Sequence, residues 1–177
     1  MDEVLNGINL DEMTSLNLSR NRLVSVPESI GKMGRLKNLN LSHNQLETFP
    51  TMLGEEQLLS ILDLSFNMIE GDVKFDFQNI RMLDVLNLSN NRITALNATL
   101  GKIEYLQTLD LSTNQLTTLH PLSPTIQSFN GSSNPWRLDH PQYASQIRVR
   151  GLILLCTEKY ARRYIALRER KDYLSRG

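Results

Sequence analysis

The side chains of this 177-residue chain that first suggest chemistry are its histidines, its single cysteine and a recurring asparagine. His43 and Asp63 have the types of a general base and its orienting carboxylate, but no Ser or Cys nucleophile in a matching motif accompanies them. The chain also lacks a Gly-rich phosphate loop, Cys/His metal spacing and a nucleophile elbow. No catalytic residue, metal ligand or cofactor is therefore assigned. The asparagines are different, because Asn21, Asn44, Asn67, Asn91, Asn114 and Asn134 recur at near-constant intervals. An amide carries two donors and an acceptor, so a buried row of them suits pairing with backbone groups that a turning chain leaves open.

Each Asn closes a nine-residue pattern: apolar, two free, apolar, one free, apolar, two free, Asn. Copies start at residues 13, 36, 59, 83, 106 and 126, and Leu83-Asp-Val-Leu-Asn-Leu-Ser-Asn-Asn91 is typical. The alternation inside each copy, as at Leu86 and Leu88, predicts a short strand with one buried face, and the Asn follows where the chain must turn. The six asparagines are read as a structural ladder.

Intervals of 20 to 24 residues and this LxxLxL phrasing resemble the leucine-rich-repeat family over residues 13–134. The resemblance implies an α/β solenoid with a parallel concave sheet and a short helical or irregular convex side. Residues 13–136 form the solenoid, 1–12 an N-terminal cap built on Leu5, Ile8 and Leu10, and 137–177 a helical C-terminal cap, all in one domain. On the convex half, Leu23, Val26, Ile30 and Met33, then Leu46, Phe49 and Leu53, line the inner side. Pro27 and Pro50 are placed to start helical turns, and Gly31 and Gly54 to end them. The stretch Glu70-Gly-Asp-Val-Lys-Phe-Asp-Phe77 adds a residue and predicts an irregular segment, and Pro121 and Pro124 in the shorter fifth repeat predict an extended return.

A composition of 40% hydrophobic and 21% charged residues fits a globular protein, and no window approaches the ~18 apolar residues of a membrane span. The first residues have neither the apolar run nor the basic start of a signal peptide. Extracellular members of the family carry disulfide-bonded caps, whereas this chain has only Cys156; in Asn134-Pro-Trp-Arg-Leu-Asp-His140, Leu138 and His140 stand where such a cap places cysteines. Trp136 is left as a plug over the last repeat. Asn17, Asn40, Asn87, Asn97 and Asn130 each begin a glycosylation sequon, and four of them fall on the concave face, where glycans would block it. The expected compartment is the cytoplasm, with the nucleus as the alternative.

The free strand positions stack in rows across the concave face. The third position reads Ser15, Asn38, Ile61, Val85, Thr108, Ser128; the fifth Asn17, Asn40, Asp63, Asn87, Asp110, Asn130; the eighth Arg20, His43, Phe66, Asn90, Thr113, Ser133. Ile61, Phe66 and Val85 make an apolar centre, with Arg20, Lys37 and His43 on one side and Asp63, Asp84, Asn87 and Asp110 around and beyond it. Such a centre with a charged rim predicts a protein-binding face.

Beyond Trp136 the repeat signal stops. Residues 158–174 have helical spacing, with Tyr160, Tyr164 and Leu167 on one side, and residues 137–177 carry a net charge of plus six against minus six for the rest. Arg162, Arg163, Arg168, Arg170 and Lys171 are a second candidate contact, for an acidic partner, nucleic acid or an anionic surface. Glu158, Glu169 and Asp172 dilute this patch and no aromatic–basic interleaving accompanies it, so nucleic acid is disfavoured.

The Leu-x-x-Val/Phe-Pro-x-x-Ile/Leu-Gly phrasing of the first two repeats is similar to that of Ras-group and scaffold-type intracellular members. That resemblance implies a non-catalytic adaptor or regulatory module with a protein partner, a monomer alone or a subunit of a complex. The alternatives are binding of nucleic acid or an anionic surface through the C-terminal helix, and a small regulatory subunit of an enzyme or motor complex.

Overall fold

The structure is a computed structural model that describes residues 12–54 and 58–136. Apart from Glu12, both expected caps lie outside the described residues, and so do Arg162, Arg163, Arg168, Arg170 and Lys171.

Six three-residue strands form one parallel sheet: β1 (Ser15–Asn17), β2 (Asn38–Asn40), β3 (Ile61–Asp63), β5 (Val85–Asn87), β7 (Thr108–Asp110) and β8 (Ser128–Asn130), in that spatial order. Their register aligns the nine-residue pattern without slippage, since Leu16 pairs with Leu39, Leu39 with Leu62, and Leu62 with Leu86. A one-residue slip would expose every core leucine, which is why the alternation fixes the register. The central strand residues are buried, as are the leucines two positions later in the second to fifth repeats, such as Leu64, and together they build the core.

Past each strand the chain turns, and the asparagines hold the turns. Asn67 Nδ2 donates to the carbonyls of Leu64 and Ser65 in its own repeat and of Leu41 in the preceding one, at 3.0 to 3.2 Å. Its Oδ1 accepts the Leu46 N–H at 3.1 Å. Asn44, Asn91, Asn114 and Asn134 repeat this arrangement, so each amide ties its repeat to the one before. Asn21, exposed at the start of the series, donates among the described residues only within its own turn, to Leu18 and Ser19.

The convex side corrects two expectations. Glu70-Gly-Asp-Val73 is ordered as β4 (Glu70–Val73), which pairs in parallel with β6 (Arg92–Leu96) in a second, two-stranded sheet. The register shifts between Gly71 and Asp72, where Gly71 takes φ +75°, so the irregular sequence is accommodated by a bulge in a regular ladder. Secondly, the helical turn expected between Pro50 and Gly54 is absent: residues 51–54 form only a turn, and a Cβ on Gly54 would make no contact closer than 3.8 Å, to the Met52 carbonyl. Gly31 does end the helical turn Glu28–Gly31, as expected, but without a left-handed φ. A Cβ there would strike the Met52 carbonyl, so the approach of the next repeat requires glycine.

Two 3₁₀ turns, Phe77–Ile80 and Ala98–Lys102, begin at Asp76 and Asn97, whose side chains accept the N–H two residues on. Phe49, Phe75 and Phe77 pack together beneath the convex side with ring centroids 4.7 to 5.5 Å apart. In the fifth repeat residues 115–124 return without a helix, and the Pro121 carbonyl lies where a Cβ on Gly101 would sit. The sixth repeat carries Gly131 where the second to fifth repeats have a buried leucine. Phe129 and Trp136 fill that space, and the buried Trp136 Nε1 donates to the Gly131 carbonyl at 2.7 Å. Among the described residues no helix is long and apolar enough to cross a membrane.

Candidate functional site

The parallel register places Ile61 directly opposite Val85, as adjacent third-position residues of β3 and β5. Ile61 is 40% exposed and Val85 half-buried. Phe66 follows β3 by three residues, is 47% exposed, and lies parallel to the His43 ring of the preceding repeat, with centroids 4.3 Å apart and planes 7° from parallel. Burial of the leucines on either side of each free residue forces these side chains out of the core and onto one face.

Phe66 and His43 share an unusual backbone. The eighth residue of every repeat, Arg20, His43, Phe66, Asn90, Thr113 and Ser133, has φ between 54° and 57°, in the left-handed region. The conformation allows each of the first five to donate its N–H to the seventh-position carbonyl of the following repeat, from Ser42 to Ser132, at 2.9 to 3.0 Å. Hydrogen bonding between repeats thus continues beyond the three-residue strands and offsets the backbone strain.

The fifth-position row has a role that the sequence pattern did not reveal. Asp63 Oδ1 accepts the Ser65 N–H at 2.9 Å, and Asn17, Asn40, Asn87, Asp110 and Asn130 each accept the N–H two residues ahead. Ser42, Ser112 and Ser132 add hydroxyl bonds to the same oxygens. These are Asx turns that lead the chain out of the strand. Asp63, Asn87 and Asp110 therefore brace the sheet while remaining partly exposed on it. The signal was present as Asx-x-Ser at the fifth and seventh positions of all six copies. Asp84 is half-buried at the second position of its repeat, and Arg20 and His43 are exposed.

A further apolar row was missed by attending only to positions inside the nine-residue pattern. Leu58, Met82 and Tyr105 each precede the first apolar residue of a repeat and are 48%, 45% and 53% exposed. Met82 and Tyr105 sit in the turns that enter their strands, so the row forms the rim of the concave sheet. The corresponding residues elsewhere are Glu12, Arg35 and Thr125, a contrast that would have singled the row out. Met68, one residue past Asn67, is also exposed, so the exposed large apolar side chains of the sheet and its edges belong to the third, fourth and fifth repeats. Among the described residues no buried side-chain nitrogen or oxygen lacks a partner, so the face is presented by a polar framework that is internally satisfied.

The comparisons agree with this architecture. A leucine-rich-repeat family profile matches residues 11–69, and a second profile, for two copies of the repeat, matches residues 81–124. Among solved structures the chain is similar to one in the BIR3–SERK2 complex of Arabidopsis thaliana, with 29% identity and a TM-score of 0.54 over 60% of this chain and 58% of that one. It is also similar to a leucine-rich-repeat protein of Leptospira interrogans, with 22% identity and a TM-score of 0.60 over 88% of this chain and 46% of that one. The chain thus spans about half the length of the solved chains it matches. No curated protein matches it. The two profiles between them cover more than half of the chain, the asparagine ladder and parallel sheet are the structure they describe, and the chain belongs to the leucine-rich-repeat family.

Proposed function

We propose that the chain is a non-catalytic protein-binding module, an adaptor or scaffold component of the cytoplasm, that takes its partner on the concave face. The observation that carries this reading is the exposed apolar surface formed by Ile61, Val85 and Phe66 and by the rim residues Leu58, Met82 and Tyr105. Apolar area removed from water stabilises a complex by roughly 25 cal/mol per Å², and a preformed sheet loses little conformational freedom on binding. Asp63, Asp84, Asn87, Asp110, His43 and Arg20 set the register of the partner around this centre. One solenoid unit with caps at residues 1–12 and 137–177, acting alone or as a subunit of a larger assembly, is consistent with this role. A small regulatory subunit of an enzyme or motor complex would use the same surface and differ only in partner.

The test compares the wild-type chain with an Ile61→Asp, Phe66→Ala, Val85→Asp variant, first shown by circular dichroism to be folded, in affinity capture at low and high salt. A protein retained by wild type at high salt and lost with the variant supports the reading. Capture that ignores the variant but collapses with salt would instead place the contact on the basic segment containing Arg162, Arg163, Arg168, Arg170 and Lys171.

A further inference from the structure

The charges on the concave sheet are sorted along the solenoid. On the sheet, in the residue that enters each strand and in the turns that leave it, the cations are Arg20 and Lys37, in the first and second repeats, and both are exposed. The anions are Asp63, Asp84 and Asp110, in the third, fourth and fifth repeats. Ile61, Phe66 and Val85 lie between these groups or among the first of the anions. Arg81 and Arg92 stand at the rims of the acidic end, outside the sheet. Among the described residues no side-chain hydrogen bond or ion pair engages Lys37, which is exposed, or the carboxylate of Asp84, which is half-buried.

The shape of the occupant follows from the backbone. At the centre of the sheet, β2, β3, β5 and β7 are each paired on both sides, so a partner cannot add a strand there and must make contact through side chains. An α-helix satisfies its own backbone internally and can lie on such a surface without orphaned N–H or C=O groups. From Arg20 to Asp110 is four repeat spacings, about 19 Å at the ~4.8 Å separation of neighbouring strands. A helix covers that distance with about 13 residues at ~1.5 Å each.

Resting on the concave-face reading above, we infer that the occupant is an amphipathic helix of a partner protein lying across the strands. Its contact face is acidic at the end over Arg20 and Lys37, apolar over Ile61, Phe66 and Val85, and basic at the end over Asp84 and Asp110. Sorted charge sets the direction in which the helix lies, and the apolar centre supplies the affinity.

The test uses three helix-forming peptides of about 13 residues that share one apolar stripe. One has Glu in its first turn and Lys in its last, one carries Glu at both ends, and one carries Lys at both ends. Binding to the full chain is followed by fluorescence anisotropy. The mixed-end peptide is expected to bind about tenfold more tightly than either uniform peptide. An Arg20→Glu, Lys37→Glu variant is expected to transfer the preference to the all-Lys peptide.

Equal affinity for all three, or no binding by any, overturns the inference. Tightest binding of the all-Lys peptide by the wild-type chain also overturns it, because the face would then be a simple acceptor of basic segments, such as the chain's own residues 158–174. Ile61→Asp separates this result from the broader proposal. If binding is lost in that variant but the three peptides do not differ, the apolar face stands and the charge polarity fails. If the ranking persists in Ile61→Asp with unchanged affinity, the apolar reading itself fails.

Discussion

The His43 imidazole lies flat on the Phe66 ring, with centroids 4.3 Å apart and planes 7° from parallel, although neither residue is buried. Both stand on left-handed backbone at equivalent points of neighbouring repeats, so the repeat spacing itself brings the rings together. The stack braces the largest apolar side chain of the concave face before any partner arrives. A double-mutant cycle with His43→Ala and Phe66→Ala, followed by urea unfolding, is expected to give a coupling of about 0.5 kcal/mol or more. Additive effects would mean that the rings are merely adjacent.

The asparagine ladder predicts unequal costs for equal substitutions. Asn67→Ala leaves the buried Leu46 N–H without a partner and takes one of two donors from the Leu41 and Leu64 carbonyls, which keep Asn44 and Asn91, and should destabilise the chain by about 2 kcal/mol. Asn21→Ala removes bonds within one exposed turn and should cost less than about 1 kcal/mol. Urea midpoints of the two variants measured side by side check the difference.

Left-handed backbone at the eighth position predicts stabilising substitutions. Thr113 is β-branched at φ 54°, a conformation that asparagine or glycine adopts at lower cost. Thr113→Asn is expected to raise stability by about 1 kcal/mol, read as an increase in melting temperature. Phe66→Asn should also stabilise the isolated chain while weakening partner binding. A variant that gains stability and loses affinity together would mark position 66 as kept for contact.

Crowding between repeats separates the glycines. Gly31→Ala and Gly101→Ala drive a methyl group into the carbonyls of Met52 and Pro121 and should lower the melting temperature, whereas Gly54→Ala should be tolerated. A conservative estimate for either crowded position is about 1 to 3 kcal/mol. Equal behaviour of all three glycines would contradict the packing described here.

Among the described residues, acid stability has one identifiable contributor. The Gln78 backbone N–H bonded to Asp76 holds its carboxyl below the usual range against the opposing effect of desolvation, with lesser help from the side chains of Gln78, Thr99 and Lys102. A carboxyl with a depressed folded-state pKa adds stability above its ordinary pKa and loses it as pH falls through that value and on through the folded one. Asp76→Asn keeps a capping oxygen but cannot titrate. Unfolding curves between neutral pH and about pH 3 should therefore show a shallower acid dependence in the variant than in wild type.

What the sequence disclosed and what it concealed divide along physical lines. Leu62, Leu64 and Asn67 announce themselves because burial on one face and a satisfied turn impose residue types at fixed intervals, and six copies repeat the message. The β4–β6 ladder was hidden because Glu70, Gly71 and Asp72 have poor strand propensity, and the strand is imposed on them by Arg92–Leu96 alongside. Gly31 ends its helical turn as its place in the sequence suggests, but the reason for glycine was hidden because its constraint is the Met52 carbonyl, twenty-one residues away in sequence. Leu58, Met82 and Tyr105 fell between repeat units as the sequence was divided, and only the stacking of the turns shows them as one row.

The ladder also has a direction. The N–H groups of Leu23, Leu46, Ile69, Ile93 and Leu116 are each satisfied by the asparagine of the repeat that follows, never by their own. A ribosome delivers these repeats in the same order, so every newly emerged repeat waits with open backbone groups until its successor arrives. A chain halted before the asparagine of any repeat would leave the matching N–H of the repeat before it, as Leu46 for Asn67, without this partner.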